Sequence, residues 1–242
     1  MSRLQPLLFW SIDYAILLFT TLFYRVRYLR KDRVPKQGAV IIVANHQSHL
    51  DPPLIGGGIL HRQTHYLARV TLFSGFFGKV IRAVNAIPIT PGESDMPAIR
   101  EALTRLGDGK AVVIFAEGAR TPDGALKPFK RGTWLLIKKG GCVVVPAAIE
   151  GCFDAWPRGQ KLPSLLGKRV ACAFGEPIES RELIELGADG AICALEERVE
   201  TLRLELRTML RSASAGRYPA PGPGDDRAAW LNTPHPQPEP DA

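Results

Sequence analysis

Two side chains suited to moving a proton, His46 and Asp51, stand five positions apart in the stretch VANHQSHLDPP. An imidazole accepts a proton from a hydroxyl near neutral pH, and a carboxylate on its other nitrogen sets the tautomer and stabilises the resulting cation. On one regular helix, side chains five apart point roughly 140° away from each other. The pair therefore meets if His46 lies in a strand-to-helix turn and Asp51 in the first helical turn. The flanking residues suit that arrangement: GAVIIVA precedes, Asn45 is a turn-former, and Ser48 (with Asp51 three residues on) or Asp51 (with Pro52 behind it) can open a helix. The competing reading is a capped helix start with a surface histidine. Against it, His46 follows the carboxyl end of a strand, where ligand sites of α/β proteins gather.

Two other chemistries are weaker. His46 and His49 are three apart, and His61 and His65 are four apart in HRQTH, a ligand-pair spacing on a helix. The glutamate of an H-E-x-x-H site is absent, so no metal is expected. Serine hydrolysis needs G-x-S-x-G, whereas Ser74 stands in FSGFFG. A second cluster, VVIFAEGARTPDG, runs from a strand into a turn bearing Glu117, Gly118 and Arg120. Gly118 permits a tight bend, and Arg120 offers forked donors to a phosphate. Lys130 and Arg131 follow at a helix start in FKRGTWLL. A solvated charged loop is the plainer reading of this cluster.

Positioning these residues requires a scaffold. AVIIVAN, AVVIFAE and CVVVPAAIE are continuous apolar runs, as in parallel strands buried on both faces. Helical segments lie among them: SDMPAIREALTRLGDG opens on Ser94 and Asp95 and stops at Gly107, and RGTWLLIKKGG stops at Gly140. The alternation predicts an α/β fold with a mixed, largely parallel sheet flanked by helices. Ile192, Leu195, Val199, Leu202, Leu206 and Met209 recur at three and four, which predicts an amphipathic helix docked on its own domain. At the start, Leu7 to Tyr24 is apolar apart from Asp13 and is followed by Arg25, Arg27, Arg30, Lys31 and Arg33. That order suits a helix embedded in a membrane or lying at its anionic cytoplasmic surface, with Asp13 favouring shallow or oblique insertion, and a buried core helix is the alternative. The expected division is a membrane-associated unit at 1–34, an α/β domain at 35–212, and a proline-rich, disordered tail at 213–242.

The chain has 242 residues, with 31 Lys and Arg against 24 Asp and Glu, a net charge of +7. A basic balance suits nucleic acid, an anionic membrane or a phosphorylated ligand. No nucleic-acid-binding signature is present, so no nucleic-acid partner is expected. The four cysteines form no C-x-x-C pair and read as reduced core residues.

Taken in order, NHQSHLD, FAEGART and VVVPAAI resemble motifs of the glycerolipid acyltransferases, in particular the 1-acylglycerol-3-phosphate acyltransferases, over about Pro35 to Glu176. The resemblance implies a general base at His46 oriented by Asp51, with Asn45 and Ser48 completing the motif. It places Glu117, Gly118 and Arg120 at the acceptor, Arg69 as an anion contact, and Pro146 in a structural role. It further implies a membrane-bound enzyme using an acyl-CoA or acyl-carrier-protein thioester, with no cofactor beyond that co-substrate. The chain departs from the family at Ala116 and Ala119. It departs again in NAIPITPGE, where Asn85 and Pro91 replace a glycine and an arginine. Other acceptors thus remain open (glycerol-3-phosphate, another lysophospholipid, a lyso-aminolipid), as does a non-catalytic lipid-binding protein.

Overall fold

The three apolar runs become adjacent parallel strands at the centre of one sheet. The computed structural model describes residues 5–90 and 96–232. In chain order these form α1 (Gln5–Tyr24), β1 (Arg27–Leu29), β2 (Val40–Ala44), α2 (Asp51–Gly58), β3 (Thr64–Arg69), α3 (Gly75–Ala83), β4 (Ala86–Ile89) and α4 (Met96–Gly107). There follow β5 (Ala111–Phe115), α5 (Gly132–Gly140), β6 (Val143–Glu150), α6 (Cys152–Ala155), β7 (Ala171–Phe174), β8 (Ile178–Glu179), α7 (Ser180–Glu185) and α8 (Gly187–Ala213). The sheet order is β1-β7-β6-β2-β5-β3-β4, with β8 also paired to β6. All pairings are parallel except those of β7 and β8 with β6.

Alternation along each strand divides the core. Ile41, Val43, Val112, Ile114 and Val144 face α4, α5, α7 and α8. Val40, Ile42, Val113, Val145 and Phe174 pack on the other face with Leu54 and Ile55 of α2. Both faces are covered, which is why these strands read as unbroken apolar runs. Pro146 occupies a central strand without disturbing it. Beyond β2, the other flank of β6 pairs with β7 from Ala147 onward and with β8 at Val143 and Val144. Pro146 falls between the two partners, where its missing N–H leaves no ladder bond unmade, and its carbonyl accepts from Gly175 N at 2.7 Å.

Two expectations are corrected here. The proposed boundary at residue 34 fails, because β1 lies inside the basic flank and pairs with β7. The strand separates the cations: Arg25 precedes it, while Arg30 and Arg33 follow it and pair with Glu205 and Glu176. Asp13 of α1 faces inward. It is 5% exposed, turned toward α2, where a Cβ on Gly56 would stand 3.4 Å from its Oδ1. The predicted disorder at 213–232 is replaced by a segment packed on the domain, with Tyr218 and Ala228 buried. Proline richness removes helix but does not prevent docking when carbonyls meet donors. Arg203 and Arg207 of α8 donate to Gly224 O and Ala220 O at 2.7 Å each. Residues 233–242, like Pro91, Ser94 and Asp95, lie outside the described residues.

Candidate active site

The C-terminal edge of β2 delivers the predicted pair. Two residues past Ala44, His46 Nδ1 stands 2.8 Å from Asp51 Oδ2, and Asp51 is the first residue of α2. The same Oδ2 accepts the main-chain N–H groups of Gln47 at 2.5 Å and Ser48 at 2.7 Å. A carboxylate so held, with no exposure of its side chain, is an acceptor of fixed direction. Nδ1 therefore carries the hydrogen, and Nε2 is left as the basic nitrogen. The imidazole stacks on Phe115 of β5, with centroids 4.3 Å apart, and remains 18% exposed. This is a base with one nitrogen anchored and access from solvent to the ring.

The loop carrying His46 is fixed from several sides. Asn45 exchanges two bonds with the Ile149 main chain, at 2.9 and 2.8 Å, tying the end of β2 to β6. Ser48 Oγ donates to Trp156 O at 2.9 Å and accepts from Leu50 N at 3.2 Å, so it braces the turn and is not the cap of α2. Gln47 Nε2 reaches Gly124 O and Glu150 Oε2 at 3.2 Å each, while its Oε1 accepts from Phe153 N at 3.3 Å. Glu117 is placed differently from expectation. It is buried, and its Oε1 accepts the main-chain N–H of His46 at 2.8 Å. Burial pushes this carboxyl well above the usual carboxylate range. Glu117 thus supports the base from beneath and does not open onto an acceptor. Gly118 has a φ of 71°, and a Cβ there would stand 3.1 Å from Lys130 Cγ. The left-handed turn and the lysine alongside leave this position to glycine.

The cations divide into two groups. Half-buried Arg120 has its pKa lowered by burial first, then by the charges of Arg158 and Arg69, which places three guanidiniums in one neighbourhood. Lys130 is exposed beside Gly118. Arg131 turns away and pairs with Asp189 of α8 at 3.3 Å, so it does not join the cluster. His49 packs against Trp156, and its pKa is pushed down to about 4, chiefly by burial and then by Arg120; it is neutral at physiological pH. His61 and His65 do not form a pair on a helix, since His65 is buried in β3 and His61 lies in the preceding loop. Among the described residues no group of three or more His, Cys, Asp or Glu is placed to hold a metal ion.

Sequence reading missed Gln47 and Arg158. Gln47 lay inside the quoted motif and was visible. Arg158 stands alone in a loop about forty residues beyond Arg120, with no local signal. Cys152, fully buried, lies against Asp51, whose charge helps raise the thiol pKa after burial itself.

Comparison with known proteins supports this chemistry. A family model described as Acyltransferase matches residues 25–150, just over half of the chain. A 1-acyl-sn-glycerol-3-phosphate acyltransferase of Bacillus subtilis is 27% identical over 186 residues, covering 76% of this chain and 89% of that protein. A chloroplastic enzyme of the same description from Arabidopsis thaliana is 25% identical over 143 residues, and there the match spans only 40% of the relative. The crystal structure of the 1-acyl-sn-glycerophosphate acyltransferase of Thermotoga maritima superposes with a TM-score of 0.68 at 26% identity, over 85% of this chain and 79% of that one. The matched region contains the whole arrangement from His46 to Glu117, and this chain belongs to the acyltransferase family.

Proposed function

We propose that the enzyme transfers an acyl chain from a thioester, carried by CoA or an acyl-carrier protein, to the free hydroxyl of lysophosphatidate, yielding phosphatidate. The observation that carries this reading is the His46–Asp51 bond at 2.8 Å at the C-terminal edge of a parallel sheet, near three guanidiniums. The named relatives are acyltransferases for this acceptor, which favours it further.

In the proposed reaction, His46 Nε2 takes the hydroxyl proton as the oxygen attacks the thioester carbon. The tetrahedral oxyanion collapses, the C–S bond breaks, and the imidazolium returns the proton to the departing thiolate. Asp51 stabilises the imidazolium between these events, and no covalent enzyme intermediate is needed. Arg120, Arg69 and Arg158 are suited to the acceptor phosphate, and Lys130 to either anionic substrate. Arg158 adds a further cation beside Arg120.

The outer side of α1 suits a membrane surface. Leu8, Tyr14, Leu18 and Leu22 are each more than half exposed, opposite the buried Phe9, Asp13, Thr20 and Tyr24. No helix among the described residues is long and apolar enough to cross a bilayer. We place the enzyme on the cytoplasmic membrane face with α1 lying in the interface. The test is free-thiol release from acyl-CoA and from acyl-carrier protein, with lysophosphatidate, glycerol-3-phosphate and an uncharged lysolipid as acceptors. Release that does not depend on lysophosphatidate overturns the acceptor, and no release on any acceptor overturns the enzyme reading.

A further inference from the structure

A cavity of about 410 Å³ lies where the end of α1 meets the segment after α8, apart from His46. Four cations line it: Arg25 from the turn after α1, Lys168 and Arg169 from the approach to β7, and Arg217 beyond α8. Its lining includes no carboxylate, and among the described residues none of the four cations is in an ion pair. Lys168 Nζ lies 5.3 Å from the centroid of the Tyr218 ring, which forms part of the wall. Asp154 is near enough to feel Lys168 and offsets part of its charge, while its Oδ1 also accepts the Ala220 N–H. Four like charges gathered around one concavity concentrate anions there.

Part of the wall is apolar: Phe23 at the end of α1 and Leu166 of the loop before β7 line the cavity, 38% and 84% exposed. Nearby in the chain, Leu22 and Leu162 are exposed as well, at 67% and 78%. Exposed apolar side chains beside an excess of cations match an amphiphile bearing a negative headgroup. Strand register locates the cavity with respect to the chemistry. Ala171 pairs with both Glu150 and Arg27, so Arg25, Lys168 and Arg169 lie at the sheet edge where β6 ends. That is also the edge from which β2 delivers His46. β1 and β2 are three strand steps apart, roughly 14 Å in the pairing direction.

We infer that this cavity binds the phosphate-bearing headgroup of an anionic phospholipid while the loop leucines and Leu22 enter the apolar layer beside it. The inference rests on the membrane reading above and adds a second anchor, on the same edge as the catalytic histidine. Anchored at both places, the enzyme presents that edge to the bilayer, and the acceptor reaches His46 without leaving the lipid surface.

The experiment is sedimentation of the full-length protein with phosphatidylcholine vesicles and with the same vesicles containing phosphatidylglycerol, for the wild type and for a Lys168→Glu/Arg217→Glu variant. Should that variant fail to fold, Lys168→Gln/Arg217→Gln tests the same point. The wild type is expected to bind the anionic vesicles more tightly. The variant is expected to lose about fivefold per cation removed on those vesicles, and to match the wild type on neutral ones. Its transfer to detergent-dispersed lysophosphatidate is expected to be unchanged. Equal binding by variant and wild type on anionic vesicles overturns the headgroup site while leaving the membrane reading intact. Failure of the wild type to bind either vesicle overturns both. A melting-temperature rise with inorganic phosphate that the variant lacks, together with equal vesicle binding, makes this a soluble-anion site and overturns the lipid assignment. Loss of transfer in detergent assigns the cavity to the active site and also overturns the proposal.

Discussion

Single side chains at the end of β2 have separable roles. His46→Ala is expected to lower transfer by about a hundred- to ten-thousandfold with the fold intact, the range of a general base. Asp51→Asn should lose less, because the ring remains held but its cation is less stabilised. Glu117 distinguishes support from substrate contact. Its Oε1 accepts the His46 N–H, a bond that a neutral amide also accepts. Glu117→Gln should therefore retain most activity, whereas Glu117→Ala should lower kcat by roughly ten- to a hundredfold, the worth of a buried hydrogen bond. If Gln is as damaging as Ala, the charge itself matters and the supporting role is wrong. Among the cations, Arg120→Ala and Arg158→Ala should raise KM for a phosphate-bearing acceptor by roughly ten- to a hundredfold each. Arg131→Ala should leave it unchanged, since Arg131 pairs with Asp189. Steady-state kinetics on lysophosphatidate and an uncharged lysolipid separates these outcomes.

The element with most to say about environment is α1. Its inner face rests on the glycine run of α2, where a Cβ at Gly57 would stand 2.5 Å from Tyr28 Oη and 3.2 Å from Leu17 Cδ1. Gly57→Ala should therefore cost about 1–3 kcal/mol by overpacking, read from denaturant unfolding. Asp13 is held at the same interface, and burial raises its pKa from 3.8 to about 6. A carboxyl raised on folding binds its proton more tightly in the folded state, so stability from this group is greatest below about pH 4. That stability is lost as pH rises through about 6, where the buried charge must form. Asp13→Asn should accordingly be more stable than wild type at pH 7, by on the order of 1–2 kcal/mol after allowance for partial solvation. The two should converge near pH 4, and thermal melts at both pH values check this. Greater stability of the wild type at neutral pH would mean that the ionised carboxylate has a partner.

Across the whole molecule, a buried ionic network joins the C-terminal segment to the loop that carries His46. Glu150 at the end of β6 receives Arg203 at 3.2 Å and Arg207 at 2.6 Å. Arg203 also binds Glu200, while Arg207 and Arg211 share Asp225 at 2.6 Å. Through Gln47 the same Glu150 touches the residue next to His46. Replacing Glu150 by Ala removes one of the two carboxylate partners of each guanidinium, leaving Arg203, which is wholly buried, with Glu200 and Arg207 with Asp225. It should cost about 3–5 kcal/mol in denaturant unfolding, where an exposed pair would cost under about 1. A loss under 1 kcal/mol would show that water enters the network freely.

Much of this protein is written in its local pattern. The parallel strands follow from unbroken apolar runs, because a strand covered on both faces needs no polar side. The turn that brings His46 to Asp51 follows from a strand end, a turn-former and Pro52 early in a helix, all within a dozen residues. Local periodicity also marks α8 and its apolar seam, but not its buried Arg203 and Arg207, which reach Glu150 of β6 and, for Arg207, Asp225 beyond residue 213. Only the tertiary structure decided which way Asp13, Glu117 and Arg131 turn, that β1 completes the sheet, and that the proline-rich segment docks. In each case the deciding partner is distant in sequence: Gly56 for Asp13, His46 for Glu117, Asp189 for Arg131, Ala171 for Arg27. Residue type and period describe what a segment can present, whereas burial and ion pairing depend on which surface it meets.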